Sequence, residues 1–223
     1  MIAGVMLIVL SPLLVLIAVL IKVDSRGPVL FRQERVGKDF KLFTLLKFRT
    51  MISRAHHQGL LTVAGDTRIT KVGAMLRRFK FDELPQIANV LRGEMQWVGS
   101  RPEVPRYVAL FRDQYAKLLD QPPGITDPAT LLFHHEDQLL KGRDPEKVYI
   151  SSVLPEKLRL SVEYARSRNV RSDIGIVLAT LTKLHLRSNS DMLKHHDGLN
   201  GISDKRDSGG VCRAENSFEA HRP

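Results

Sequence analysis

A mostly helical fold with one β-hairpin, standing behind an apolar membrane helix, is what this 223-residue sequence predicts. Residues 1–21 are almost wholly apolar and end at Lys22. Residues 29–46 carry two short runs of strand character around a polar reversal. From residue 65 onward, apolar side chains recur at helical spacing between Pro- and Gly-marked breaks. This length supports one domain with a real core and a small extension.

The balance of charge narrows the partners. The formal net charge is +10, and residues 22–113 hold 18 Lys/Arg against 9 Asp/Glu. Phosphorylated substrates, an anionic membrane surface or nucleic acid would each answer such an excess. Nucleic acid is not expected, because the low aromatic content offers no base-stacking platform. The single cysteine, Cys212, excludes an internal disulfide and a Cys-based metal site.

Taken in order, residues 1–21 reach about 30 Å at helical rise, enough to span a bilayer. The run lacks the basic start and small-residue cleavage site of a signal peptide, so membrane insertion is expected. Ser11-Pro12 falls at its middle. Proline removes a backbone donor there, and a Ser hydroxyl can satisfy the freed carbonyl. Either a kinked span or a helix that turns back would result. Lys22, Arg26, Arg32, Arg35 and Lys38 place the downstream domain on the cytoplasmic side.

The hairpin is expected as a short strand at residues 29–31, a reversal over 33–39 and a second strand over 40–46. Lys47 and Arg49 then form either a solvated face or contacts to phosphate or lipid headgroups. His56 and His57 lie in a loop with no carboxylate or cysteine at ligand spacing, so a metal is not expected there. Residues 65–70 read as a capped start for a short helix through Val72, Met75, Leu76 and Phe79. A helix after Pro105 should carry Tyr107, Leu110, Phe111, Tyr115 and Leu118 near one face. Residues 121–128 are a Pro/Gly-fixed loop able to shape a pocket. Helical runs come next, around Leu158, Val162 and Tyr164 and over residues 174–184. Beyond Ser188 the composition is that of a disordered tail.

The stretch that organises the chain is Phe81-Asp82-Glu83-Leu84-Pro85-Gln86. Asp82 suits an N-cap and Glu83 a first turn, ahead of Leu84, Ile87, Ala88 and Leu91 at helical spacing. Capping alone would explain two acids at a helix start. The alternative comes from the cations around them, Arg77, Arg78, Lys80 and Arg101: paired carboxylates among cations can hold a metal-bound phosphate.

Laid side by side, these segments resemble the bacterial sugar transferases of the monotopic phosphoglycosyl transferase superfamily, which initiate exopolysaccharide, capsule and glycoconjugate assembly. The resemblance covers roughly residues 1–184. It rests on Ser11-Pro12, Phe31-Arg32-Gln33-Glu34-Arg35-Val36-Gly37, Lys47-Phe48-Arg49-Thr50-Met51, Asp66-Thr67-Arg68-Ile69-Thr70, Asp82-Glu83-Leu84-Pro85-Gln86, Val98-Gly99-Ser100-Arg101-Pro102-Glu103 and Pro123-Gly124-Ile125-Thr126, in that order. Two departures are visible: Ser100 stands where the family commonly has proline, and Gln96-Trp97 replaces a Ser-apolar pair.

The resemblance implies an α/β, mainly helical fold: a re-entrant membrane helix over residues 1–22, a membrane-associated catalytic domain with a β-hairpin over 23–187, and a polar tail over 188–223. It implies the minimal catalytic form of the family, on the cytoplasmic face of the bacterial inner membrane. The implied reaction is Mg²⁺-dependent and ping-pong. Asp82 attacks a UDP-sugar, releases UMP and carries the sugar 1-phosphate to undecaprenyl phosphate. Glu83 joins Asp82 in catalysis and helps hold Mg²⁺, a hard cation that takes carboxylate, phosphate and water oxygens. Arg101 has the fork for phosphate, and Lys47, Arg49 and Arg77 join it. Inner-membrane lipid, a homodimer and downstream glycosyltransferases complete the implied partners. A membrane-anchored scaffold or anionic-ligand-binding protein is the rival reading from charge alone.

Overall fold

The computed structural model describes residues 2–52, 61–133, 135–142 and 144–185. His56, His57 and the tail expected from residue 188 lie outside the described residues.

The apolar N-terminal run forms one helix, α1 (Ile2–Asp24), with Pro12 inside it. The expected break at Ser11-Pro12 is not there; the helix continues through that point. The reason is local. Proline leaves the Ile8 carbonyl without its usual i+4 donor, and the Ser11 hydroxyl donates to that oxygen at 2.7 Å. Among the described residues, little packs against most of α1: Ile8 is 75% and Val9 70% exposed, and 11% of its most apolar window is buried. A core helix of a soluble domain would bury such residues. One stripe packs inward, where Ile17 and Ile21 meet Phe48 and Leu76.

The far end of α1 is tied down. Arg49 donates to the carbonyls of Ser25 (2.6 Å) and Arg26 (3.0 Å), satisfying acceptors just beyond the helix end. Asp24 reaches across to accept from the Val72 amide at 3.2 Å.

Strands β1 (Leu30–Val36) and β2 (Leu42–Phe48) pair antiparallel in the register Leu30↔Phe48 to Val36↔Leu42. The hairpin is as expected, but β1 runs further than its apolar content indicates, and β2 is shifted by two residues, leaving Phe40 and Lys41 to the turn. Gln33, Glu34 and Arg35 are strand, not reversal. Arg32 and Glu34 point to solvent, while Arg35 donates to the Gln33 carboxamide oxygen at 2.7 Å on the other face. Polar side chains that satisfy one another can occupy a strand. The reversal sits at Gly37–Lys41, where Asp39 (φ 54°) and Phe40 (φ 59°) adopt left-handed backbone.

Helix α2 (Lys71–Arg78) starts at the end of the stretch expected to cap it, and the cap is Thr70, whose Oγ1 accepts from the Gly73 amide at 3.0 Å. Gly73 allows α2 to lie on the preceding chain, because a Cβ there would come within 2.1 Å of the Thr50 carbonyl oxygen.

After α2 the chain turns at Lys80 (φ 57°) into a single 3₁₀ turn, Phe81–Glu83, and then into α3 (Gln86–Leu91). Asp82 therefore does not cap α3; the helix begins behind Pro85, which has no side-chain cap bond. What holds α3 against the hairpin is Asn89, fully buried at 0% exposure. Its Oδ1 accepts from Leu46 N at 3.1 Å and its Nδ2 donates to Thr44 O at 2.8 Å, so one carboxamide stands in for a neighbouring strand along β2. Replacing Asn89 by Leu strands both groups and is expected to cost about 2–4 kcal/mol, read as a lowered urea midpoint in detergent.

Strands β3 (Gln96–Val98) and β4 (Gly124–Thr126) form a short parallel pair, Gln96↔Gly124 and Val98↔Thr126. A Cβ on Gly124 would fall 2.1 Å from the Gly99 amide nitrogen, so this pairing needs glycine. The loop expected over residues 121–128 thus contributes a strand. The Gln96 side chain donates to the Pro122 carbonyl at 2.7 Å, which gives that departure a structural role.

The helix expected after Pro105 is split into α4 (Pro105–Leu110) and α5 (Arg112–Ala116), because Phe111 leaves helical backbone (φ −127°, ψ 38°). Tyr107, Tyr115 and Leu118 enter the main core, while Leu110 stays exposed. Short helices α6 (Pro128–Leu132), α7 (Glu136–Leu139) and α8 (Pro145–Val148) lead through a π-turn, Tyr149–Val153, to α9 (Leu154–Ser167) and α10 (Val170–His185). Asp127 caps α6 and accepts from Ser161 of α9 at 2.6 Å. Val36, Tyr107, Phe133 and Leu154 share this core, so the hairpin tip is anchored in the helical body.

Candidate active site

Asp82 and Glu83 are consecutive, yet the 3₁₀ turn gives them different surroundings. Glu83 meets cations. The Arg101 guanidinium forks onto both its oxygens, with Nη1 3.2 Å from Oε2 and Nη2 bonded to Oε1, and Lys47 Nζ lies 3.1 Å from Oε1. Burial works against its charge, but Arg101 and Lys47 outweigh that and hold the Glu83 carboxyl well below the usual carboxylate range. In return, Glu83 keeps Arg101 firmly protonated against the effect of burial.

Asp82 is 7% exposed. Its Oδ1 is buried and has no hydrogen-bond partner among the described residues. Burial first, and the Glu83 charge second, push its carboxyl above the usual range. Lys47, Lys80 and Arg77 pull the other way without winning. A buried carboxylate oxygen with open lone pairs is costly unless something else fills them. Gln86, one turn on and 1% exposed, is similar: its Nε2 donor also lacks a partner among the described residues.

Asp82 faces a cleft of about 810 Å³ between the hairpin and the residues leading into α2. Its wall is cationic, with Arg32, Arg35, Lys47, Arg49, Arg68 and Arg77 set against that one acid. These cations are not equivalent. Arg35 pairs with Glu103 at 2.7 Å, and Arg68 with Asp66 at 2.5 Å. Arg49 bonds to backbone at the end of α1. Arg77 instead meets hydroxyls, Thr50 Oγ1 at 2.8 Å and Thr62 Oγ1 at 3.5 Å. Lys47 is buried beside Glu83; that burial lowers its pKa although Glu83 acts to raise it.

The structure therefore brings four of the expected residues together, Asp82, Glu83, Lys47 and Arg101, and puts Arg77 and Arg49 on the same cleft wall. Arg101 stands apart from that wall and grips Glu83. Two features tie it there. The β3–β4 pair fixes its backbone, with Gly124 N donating to Ser100 O at 2.9 Å. Glu103, two residues on, is held by Arg35 and by the Tyr149 hydroxyl at 2.6 Å. Sequence reasoning missed Glu103, Asn89 and Asp24 in these positioning roles. Of these, Glu103 alone carries a signal, through its place in the Arg101 motif.

The donor set bears on a divalent cation. Among the described residues, no group of three or more His, Cys, Asp and Glu converges. Two adjacent carboxylates, one with an oxygen lacking a partner, match a hard cation that draws its remaining ligands from phosphate and water. Asp82 Oδ1 is the oxygen open to a Mg²⁺ held jointly with a phosphorylated substrate, while both Glu83 oxygens are taken by Arg101 and Lys47.

The family model described as bacterial sugar transferase matches residues 1–187. The chain is similar to the undecaprenyl-phosphate glucose phosphotransferase of Komagataeibacter xylinus, 37% identical over 194 residues, covering 80% of this chain and 33% of the relative. It is also similar to the UDP-glucose:undecaprenyl-phosphate glucose-1-phosphate transferase of Caulobacter vibrioides, at 35% over 184 residues, covering 81% and 65%. With the UDP-N-acetylgalactosamine-undecaprenyl-phosphate N-acetylgalactosaminephosphotransferase of Aeromonas hydrophila it shares 46% over 102 residues, covering 45% and 24%. The chain thus spans between 24% and 65% of the length of these relatives.

Proposed function

Because the chain belongs to the bacterial sugar transferase family, we propose that it transfers a sugar 1-phosphate from a UDP-sugar to undecaprenyl phosphate, with Asp82 as nucleophile. The observation that carries this is the buried Asp82 Oδ1, without a partner among the described residues and facing a cationic cleft. Structural acids in this fold are satisfied, as Asp127 is by Thr130 and Ser161. Asp82 is not, which is how a group awaiting a substrate atom looks.

The chemistry balances as two displacements at one phosphorus. The Asp82 carboxylate forms a bond to the β-phosphorus of the donor, and the bond from that phosphorus to the bridging oxygen breaks. UMP leaves with the electron pair, and the sugar phosphate remains on Asp82 as an acyl phosphate. A phosphate oxygen of the acceptor then attacks the same phosphorus, giving the lipid-linked diphosphosugar and freeing Asp82.

Lys47 and Arg77 supply positive charge where the diphosphate lies. Arg101 orients Glu83 and keeps it ionised. Mg²⁺ bound through Asp82 would mask phosphate charge. The exposed apolar surface of α1 supports insertion in the inner membrane, and Lys22, Arg26 and Arg32 support a cytoplasmic site.

The test is UMP release by the purified protein in nanodiscs with undecaprenyl phosphate and Mg²⁺. The donor panel holds UDP-glucose and UDP-N-acetylgalactosamine, since the relatives are divided between those sugars. Release with one donor supports the assignment; folded protein that releases UMP from none contradicts it.

A further inference from the structure

Three partly exposed apolar side chains precede Asp82 in the chain. Met75, Phe79 and Phe81 keep 43%, 42% and 37% of their surface exposed. The two rings lie 5.8 Å apart, centroid to centroid, and the Arg78 guanidinium sits 5.8 Å from the Phe79 centroid. They belong to neither hydrophobic core. The inner side of α2 is supplied by Leu76 and Val72, which pack against Ile17 and Ile21 of α1. The left-handed turn at Lys80 then carries the chain from Phe79 to Phe81 and directly into Asp82. Exposed apolar side chains that adjoin one another offer a surface to an apolar ligand.

Resting on the transferase reading above, we propose that Met75, Phe79 and Phe81 bind the isoprenoid units next to the acceptor phosphate, leading that chain from the bilayer side of α1 to Asp82. Three features select this occupant. The acceptor phosphate must reach the phosphorus on Asp82, so its first apolar units must lie beside that residue. Met75 lies on α2, the helix that packs on α1 through Val72 and Leu76, and Phe79 and Phe81 follow it in the chain up to Asp82. Its neighbours also complement a phosphate head: Arg78 borders the rings, and the Lys80 ammonium is close enough to Asp82 and Glu83 to favour their ionised forms. Insertion of the rings among lipid headgroups is the competing occupant.

The test uses the full chain in nanodiscs and separates the two half-reactions. Exchange of labelled UMP into UDP-sugar needs no acceptor, whereas overall turnover does. The Phe79→Ser/Phe81→Ser variant is expected to keep exchange and vesicle flotation within about twofold of wild type. Its KM for undecaprenyl phosphate is expected to rise about tenfold or more. Phe79→Leu, which keeps an apolar side chain, should hold the KM near wild type. An unchanged KM in the double variant, or flotation falling together with it, would overturn the assignment. A second measurement needs no variant: a diazirine-bearing isoprenyl phosphate should label residues 75–81 of the wild-type protein, and labelling elsewhere would overturn it. Absence of exchange in the wild-type protein would instead overturn the transferase reading, and the assignment with it.

Discussion

Asp82→Asn is expected to lower turnover by at least about a thousandfold and to leave the fold as stable as wild type, or more so. Asn keeps the shape and loses the nucleophile. It also removes a carboxylate whose ionisation burial and Glu83 oppose. This fixes the sign of the pH dependence. A carboxyl raised in the folded state favours folding when protonated, and that contribution is lost as pH rises through its folded pKa. The wild-type protein therefore carries the penalty at neutral pH, and the Asn variant should melt at an equal or higher temperature there. The gap should close below an ordinary aspartate pKa of about 3.9. Thermal melts of both proteins across pH check this; a variant that is less stable at neutral pH would contradict it. Activity moves the other way. Protonation disables the nucleophile, so wild-type turnover should fall on acidification at a pH above that of an ordinary aspartate.

Arg101→Met is expected to produce the second largest effect. It leaves Glu83, with 12% of its side chain exposed, supported by Lys47. Breaking one side of a buried pair costs about 3–5 kcal/mol, because the other charge stays behind. Turnover should fall as well, through a Glu83 that is no longer oriented or held ionised. Glu83 is depressed in the folded state, so its contribution is present above its unfolded pKa and is lost as pH falls through the folded value. Removing Arg101 should move that acid limit upward in pH. Arg101→Lys keeps the charge without the fork and should fall between. Arg101→Met combined with Glu83→Gln should regain much of the stability while activity stays low. Recovery of activity in the double variant would show that Glu83 has no role beyond pairing.

Local signals carry much of this architecture. Thr70 marks the start of α2 by its side-chain chemistry, and the Ser11 hydroxyl supplies the bond that Pro12 removes. The paired acids are visible as the centre of the site because cations crowd them in sequence. The misread elements are those decided at a distance. Gln33–Arg35 look like a reversal because they are polar, yet Glu103, held by Arg35, comes from 68 residues away. Asp82 looks like a cap, but the left-handed Lys80 and a 3₁₀ turn move the start of α3 beyond it. Asn89 gives no warning that it completes the edge of β2. Nor can spacing show that Gly99 and Gly124 meet, and through that contact Arg101 is fixed where Glu83 lies. Arg49 reads as a phosphate ligand or a surface cation, and sequence does not show that its guanidinium also holds the carbonyls just beyond α1. Type and order of the site residues are local; what each one touches is not.

The most direct test of the central claim is mass analysis of the protein mixed with a UDP-sugar and Mg²⁺ in the absence of acceptor. A mass increase of one sugar phosphate, mapped to the peptide containing Asp82 and discharged by undecaprenyl phosphate, is the predicted result. A protein that turns over while this peptide stays unmodified, or an adduct that persists in Asp82→Asn, would contradict the assignment of Asp82 as the nucleophile.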